Sequence, residues 1–193
     1  FVQVFEGKTS SLSRETFQGG LTLLGNDTAF ATNLLTASYA GTGGAEGPES
    51  LKGTLKPWAS GPCTNVEPVL VDAEYLVYQV HGYGAVQDIP FVYEMGQALD
   101  EPTATVSTYA ALAALTLEPG QWAKAPAVGM FRLGGQPSKK LTADVMGALD
   151  GAAYPNTVSG IIQHLIKVAI PTASFGDMSA FNTTSWCFYT AQQ

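Results

Sequence analysis

The sequence predicts an all-β fold, a β-barrel or β-sandwich with at most one or two short helices. Three observations carry this. Gly and Pro recur at short intervals, 21 and 11 of 193 residues. The runs between them are rich in β-branched and aromatic residues, and several alternate with a period of two. Charged residues make up only 13% while hydrophobic ones reach 46%, so the chain lacks the high charge and low hydrophobicity of disorder. One compact domain over residues 1–193 is expected. With Phe1 in place of Met and no charged and apolar leader in view, an excised domain or a processed product of a longer polypeptide is expected.

Taken in order, the predicted strands are 1–6, 21–24, 34–39, 66–71, 75–81, 89–95, 103–109, 128–133 and 186–190. Tyr75-Leu76-Val77-Tyr78-Gln79-Val80-His81 has high β propensity on both faces. Gly82-Tyr83-Gly84 then supplies a permissive turn. Ile89-Pro90 places a proline where a missing ladder donor is tolerated, at a strand start or an edge. Residues 109–117 are rich in alanine, but their neighbours suit strands, and strand is the expectation there. Val158, Ile161, Ile162, Leu165, Ile166 and Ala169 share one helical face. Pro155-Asn156-Thr157 and Pro171 bracket that run, so a helix over 158–169 is favoured over the period-two alternative.

The net charge is −7 with only two arginines, Arg14 and Arg132. A nucleic-acid binder needs Lys and Arg to displace phosphate counterions, and this chain offers no such patch. An anionic membrane surface is disfavoured for the same reason, and no apolar run approaches the ~20 residues of a membrane span. From Pro57 to Ala123 there is no Lys or Arg, yet eight acids: Glu67, Asp72, Glu74, Asp88, Glu94, Asp100, Glu101 and Glu118. This is a solvated acidic face or the setting for a cation or a polyhydroxylated ligand.

No catalytic residue is singled out. A GxSxG elbow is absent, and His81 and His164 sit in no recognisable motif. Gly41-Thr42-Gly43 leads to Glu46 where a third glycine would approach a pyrophosphate, and no GxxxxGK[ST] occurs. Asp100-Glu101 before Pro102 reads as a turn rather than a glycosidase pair. An oxygen-rich cation site near Asp72 and Glu74 lacks a calcium-loop pattern. Cys63 and Cys187 form no CxxC, so no metal site or cofactor is expected. Whether they are bonded stays open, as does the use of the sequons at Asn26 and Asn182.

A recognition surface remains. Trp58 and Trp122 each lie between loop-forming Gly and Pro residues, and Tyr83 lies in the glycine turn. Such aromatics give large contact area at low entropic cost. With Asp88 and Asp100 as hydrogen-bond acceptors beside them, Trp58, Tyr83 and Trp122 form the candidate receptor- or ligand-binding set. An alternative is that each aromatic folds back onto the core. A chain this poor in charge is also expected to cover apolar surface with a copy of itself, as a homodimer.

The string Val106-Ser107-Thr108-Tyr109 is similar to a strand of the hepevirus spike. With short strands, low charge, abundant Thr, Ser, Ala and Gly and no catalytic motif, the chain resembles the projecting spike domain of small non-enveloped virus capsids, as in astroviruses and hepeviruses. The resemblance implies a non-enzymatic, dimeric β-rich domain on the virion surface that attaches to a host receptor or glycan and carries antibody epitopes. The acidic balance suits an outward spike better than an RNA-facing shell. A carbohydrate-binding module, a phage tail or decoration protein and an extracellular hydrolase are the alternatives.

Overall fold

The computed structural model describes residues 8–14, 19–24, 33, 35–170, 174 and 188–190. Contacts divide the chain into two compact units, Phe1–Leu34 with Leu165–Ser174, and Leu35–His164 with Phe175–Gln193. In the first unit β1 (Lys8–Arg14) and β2 (Gly19–Leu24) form an antiparallel hairpin, Lys8 opposite Leu24 and Arg14 opposite Gly19, with a bulge between Thr9 and Ser11.

The second unit is built from β3 (Trp58–Ser60), β4 (Pro62–Val66), β5 (Val69–Asp72), β6 (Val77–Gln79), β7 (Val86–Glu94), β8 (Gln97–Ala98), β9 (Ala104–Thr105), β10 (Trp122–Ala125), β11 (Met130–Leu133), β12 (Leu141–Ala148) and β13 (Phe188–Thr190). Two sheets dominate, in strand orders β5-β6-β11-β10-β9 and β4-β12-β7-β8, with β13 paired to β3 beside them. All described pairings between strands are antiparallel except β9 with β10. Among the described residues there are two helices, α1 (Tyr109–Ala113) and α2 (Val158–Ala169), and three short 3-10 turns. The described structure is thus all-β, with two short helices.

One core lies between the two sheets. Val86, Ile89 and Val92 of β7 and Leu141, Ala143 and Val145 of β12 meet Tyr78, Trp122, Phe131 and Leu133 of the other sheet. The opposite face of the five-stranded sheet carries a second core, in which Val77, Ala123, Ala125 and Met130 pack with Tyr39 and with Leu112 of α1. Because β6, β10 and β11 are covered on both sides, consecutive residues of one strand serve different cores: Val77 one, Tyr78 the other. Lys124 points between the sheets, where its Nζ lies 2.7 Å from Asp88 Oδ1 and ties β10 to β7.

Several sequence expectations are corrected. Residues 109–117 are not a strand. Thr108 caps α1 by accepting from the Ala111 amide at 3.1 Å, and Arg132 gathers the far end, one guanidinium nitrogen donating to the carbonyls of Leu112, Ala113 and Leu115 at 3.0, 2.6 and 2.7 Å. An alanine run with both ends satisfied is a helix. The strand expected over 66–71 is broken between β4 and β5, and that over 75–81 shrinks to β6. There, Asp72 Oδ1 accepts from the amides of Glu74 and Tyr75 and holds residues 73–76 in a turn. The strand expected over 103–109 survives only as β9, and Pro126–Val128 is a 3-10 turn before β11. Of the strand expected over 34–39, Leu34 lies outside the described residues, and over 35–39 Ser38 makes only an isolated bridge to Leu55. Residues 1–6, Trp186, Cys187, Asn26 and Asn182 lie outside the described residues. The helix over 158–169 is present as α2.

Candidate functional site

The five residues marked in the sequence do not fall in one place. Trp58 is not on a loop: it is the first residue of β3, opposite Thr190 of β13, and is 3% exposed. Its indole N–H donates to Ser60 Oγ at 2.9 Å. Its ring is met edge-on by His81 at 5.2 Å and Tyr83 at 4.8 Å, and by the tilted ring of His164 at 5.8 Å. Tyr83 is half-buried, and its hydroxyl accepts from the Ala37 amide at 3.1 Å. Trp122 starts β10, is 1% exposed, stands perpendicular to Phe131 and donates to the Asp100 carbonyl at 2.5 Å. Asp88 is committed to Lys124, and only Asp100 is fully at the surface.

The expectation of loop tryptophans facing solvent is therefore corrected for both. Each side chain is too large and apolar to stay in water when a strand position beside a core is within reach, and each finds an acceptor for its N–H. The structure joins Trp58 to Tyr83, and Trp122 to the backbone of Asp100, but it does not gather the five into one surface.

The aromatic cluster around Trp58 is chemically quiet. His81 Nδ1 accepts from the Ala59 amide at 3.1 Å, so the neutral ring carries its proton on Nε2. Burial, with the nearby His164 adding to it, pulls the His81 pKa down to about 4. Ser60 Oγ is occupied by Trp58, and Ser60 itself is buried. Serine and histidine here both serve strand β3.

The outward face of the four-stranded sheet is different. Asp144 lies opposite Phe91, and Thr142 opposite Tyr93, in the β12–β7 register. Phe91 is 46% exposed, its ring 6.3 Å from that of Tyr93. The Tyr93 hydroxyl donates to Asp144 Oδ2 at 2.8 Å, and this hydrogen bond, ahead of burial and the carboxylate charge, raises the Tyr93 pKa. Asp144 Oδ1 accepts from the Asn65 amide at 2.9 Å, and Thr142 Oγ1 donates to Asn65 Oδ1 at 3.3 Å. Asn65 adopts φ 53°, which asparagine tolerates well. At the end of β7, Met95 turns outward, 76% exposed. An apolar plate fixed by a polar network makes a firm contact surface.

No motif in the sequence marks these residues. The alternation Phe91-Val92-Tyr93 was the available signal: with Val92 inward, both rings must share the outer side. Among the described residues, no group of three or more His, Cys, Asp or Glu side chains is placed to hold a metal ion. No described helix is long and apolar enough to cross a membrane. Comparison with protein-family models, curated proteins and solved structures finds no match.

Proposed function

We propose that the chain is a non-enzymatic structural module of a virus particle, working as a phage tail or decoration component through contacts with neighbouring protein subunits. The observation that carries this is where the large apolar side chains lie. The aromatics that would have marked a receptor loop are core pieces, whereas Phe91, Met95, Ile162 and Val168 are exposed on or at the ends of regular elements. Apolar side chains held outward on regular elements suit protein–protein contact. The net charge of −7 argues against a role that touches packaged nucleic acid.

Attachment to a host receptor, as in a capsid spike, is the second reading. What favours it is the plate of Phe91 and Tyr93 with the Asp144 carboxylate, since aromatic rings beside fixed acceptors also suit a glycan.

Sedimentation velocity between 1 and 100 µM (roughly the range over which weak self-contacts appear) tests the proposal. The expected result is association that grows with concentration and weakens about thirty-fold in Phe91→Ser, the loss of a ~2 kcal/mol aromatic contact. The melting temperature stays unchanged, because the ring is outside the core. A strict monomer at every concentration contradicts the assembly reading. Binding of the monomer to cells or glycans, lost in Phe91→Ser, would establish attachment instead.

A further inference from the structure

The only two histidines of the chain stand 83 residues apart in sequence, His81 and His164, and converge on one tryptophan. His81 is 1% and His164 7% exposed. Their rings lie 5.2 and 5.8 Å from that of Trp58. The whole of β3 depends on this place. The Ala59 amide, in the centre of the strand, donates to His81 Nδ1. Trp58, Ala59 and Ser60 pair in turn with Thr190, Tyr189 and Phe188 of β13, a segment that arrives from the far end of the chain. On its other side β3 packs so closely on β12 that a Cβ on Gly147 would stand 2.6 Å from the Ala59 carbonyl oxygen.

We propose that His81 is an acid-operated latch: proton uptake at Nδ1 ejects the Ala59 amide and frees β13 from β3. The reasoning is stereochemical. Nδ1 is the acceptor, so adding a proton there sets a donor against a donor and places a cation in a buried site. The ring cannot turn away, because its surroundings are packed. Trp58 faces it from β3, Tyr83 from its own loop at 6.1 Å, and His164 of α2 lies near it. Gly129 covers its backbone, the Gly129 carbonyl accepting from the amides of Val80 and His81. A Cβ on Gly129, at φ 60°, would stand 2.3 Å from the His81 carbonyl oxygen. Lys56 lies behind Gly82 and is already held by Glu46 at 2.6 Å.

The sign follows from linkage. His81 takes a proton at about 4 in the closed state and near the ordinary ~6.5 once released. Between those values the released state binds more protons, so it gains population as pH falls through the window, by roughly ten-fold per pH unit. This device is independent of the assembly reading, since it concerns only the hold of one strand.

Amide hydrogen exchange on the whole chain tests it, at pH 6.5, 5.5 and 4.5, each rate divided by its intrinsic value. Wild type is expected to lose about forty-fold protection (the linkage between midpoints of about 4 and ~6.5 over this range) at residues 58–60 and 188–190, while β7 and β12 keep theirs. His81→Asn, whose amide oxygen replaces Nδ1 as acceptor but takes no proton, is expected to hold its protection within about three-fold over the same range. Protection in wild type that does not change with pH, an equal loss in all strands, or an unchanged pH response in His81→Asn overturns the proposal. Should the variant fail to fold, the titration of the His81 ring by NMR in wild type decides: a midpoint well below ~6 sustains the latch, and one at or above ~6.5 overturns it.

Discussion

Trp58→Ala is expected to lower stability by about 4 kcal/mol, the usual size for emptying a buried tryptophan site. For a chain of this length that is a fall in melting temperature of roughly 10–15 °C. The loss has identifiable parts. The indole fills the space between His81, Tyr83 and His164 and is 3% exposed. Its N–H is spent on Ser60, which stays buried without that donor once the ring is gone. Trp58→Phe keeps most of the volume and is expected to recover more than half of the loss. Thermal and urea melts of both variants check this. A melting temperature within ~2 °C of wild type for Trp58→Ala would mean that the ring is a surface group after all.

Gly147→Val is expected to be about as damaging, by the opposite mechanism. Glycine here is required by approach, not by backbone angle. A Cβ at this position would meet Ala59 O and Ser60 Cα at 2.6 Å, and these are backbone atoms that cannot rotate aside. The Gly147 amide also donates to the Gly61 carbonyl at 2.8 Å, which fixes the separation of β12 from β3. Overpacking against backbone costs about 3 kcal/mol or more. Because β3 is the element displaced, near-ultraviolet circular dichroism of Trp58 should change along with the urea midpoint. A neutral Gly147→Val would show that the two strands have room to part.

The class of the fold was legible in the sequence, and so was α2, because its apolar residues keep a helical period between clear end signals. The strands that went unread fail for physical reasons. In β12 the inward positions are Leu141, Ala143, Val145 and Gly147, so half of its buried face is too small to register as hydrophobic alternation. The short strands β3 and β10 sit between prolines and glycines; β3 pairs with β13 from far along the chain, and β10 pairs with the nearby β11 and, in parallel, with β9. Local punctuation therefore reads as loop where pairing makes strand. That same error put Trp58 and Trp122 on a surface. The Phe91–Tyr93 plate needed only the alternation of β7, but its polar frame joins Asn65 to Asp144 across 79 positions, which no local pattern reports.

We propose that this chain is built into an assembly through its exposed apolar side chains. Electron microscopy of the concentrated protein tests that most directly, with a Phe91→Ser, Met95→Ser double variant alongside. Closed rings or stacked tubes in wild type, replaced by single particles in a variant that melts at the same temperature, are the predicted result. Dispersed single particles in both preparations would contradict it.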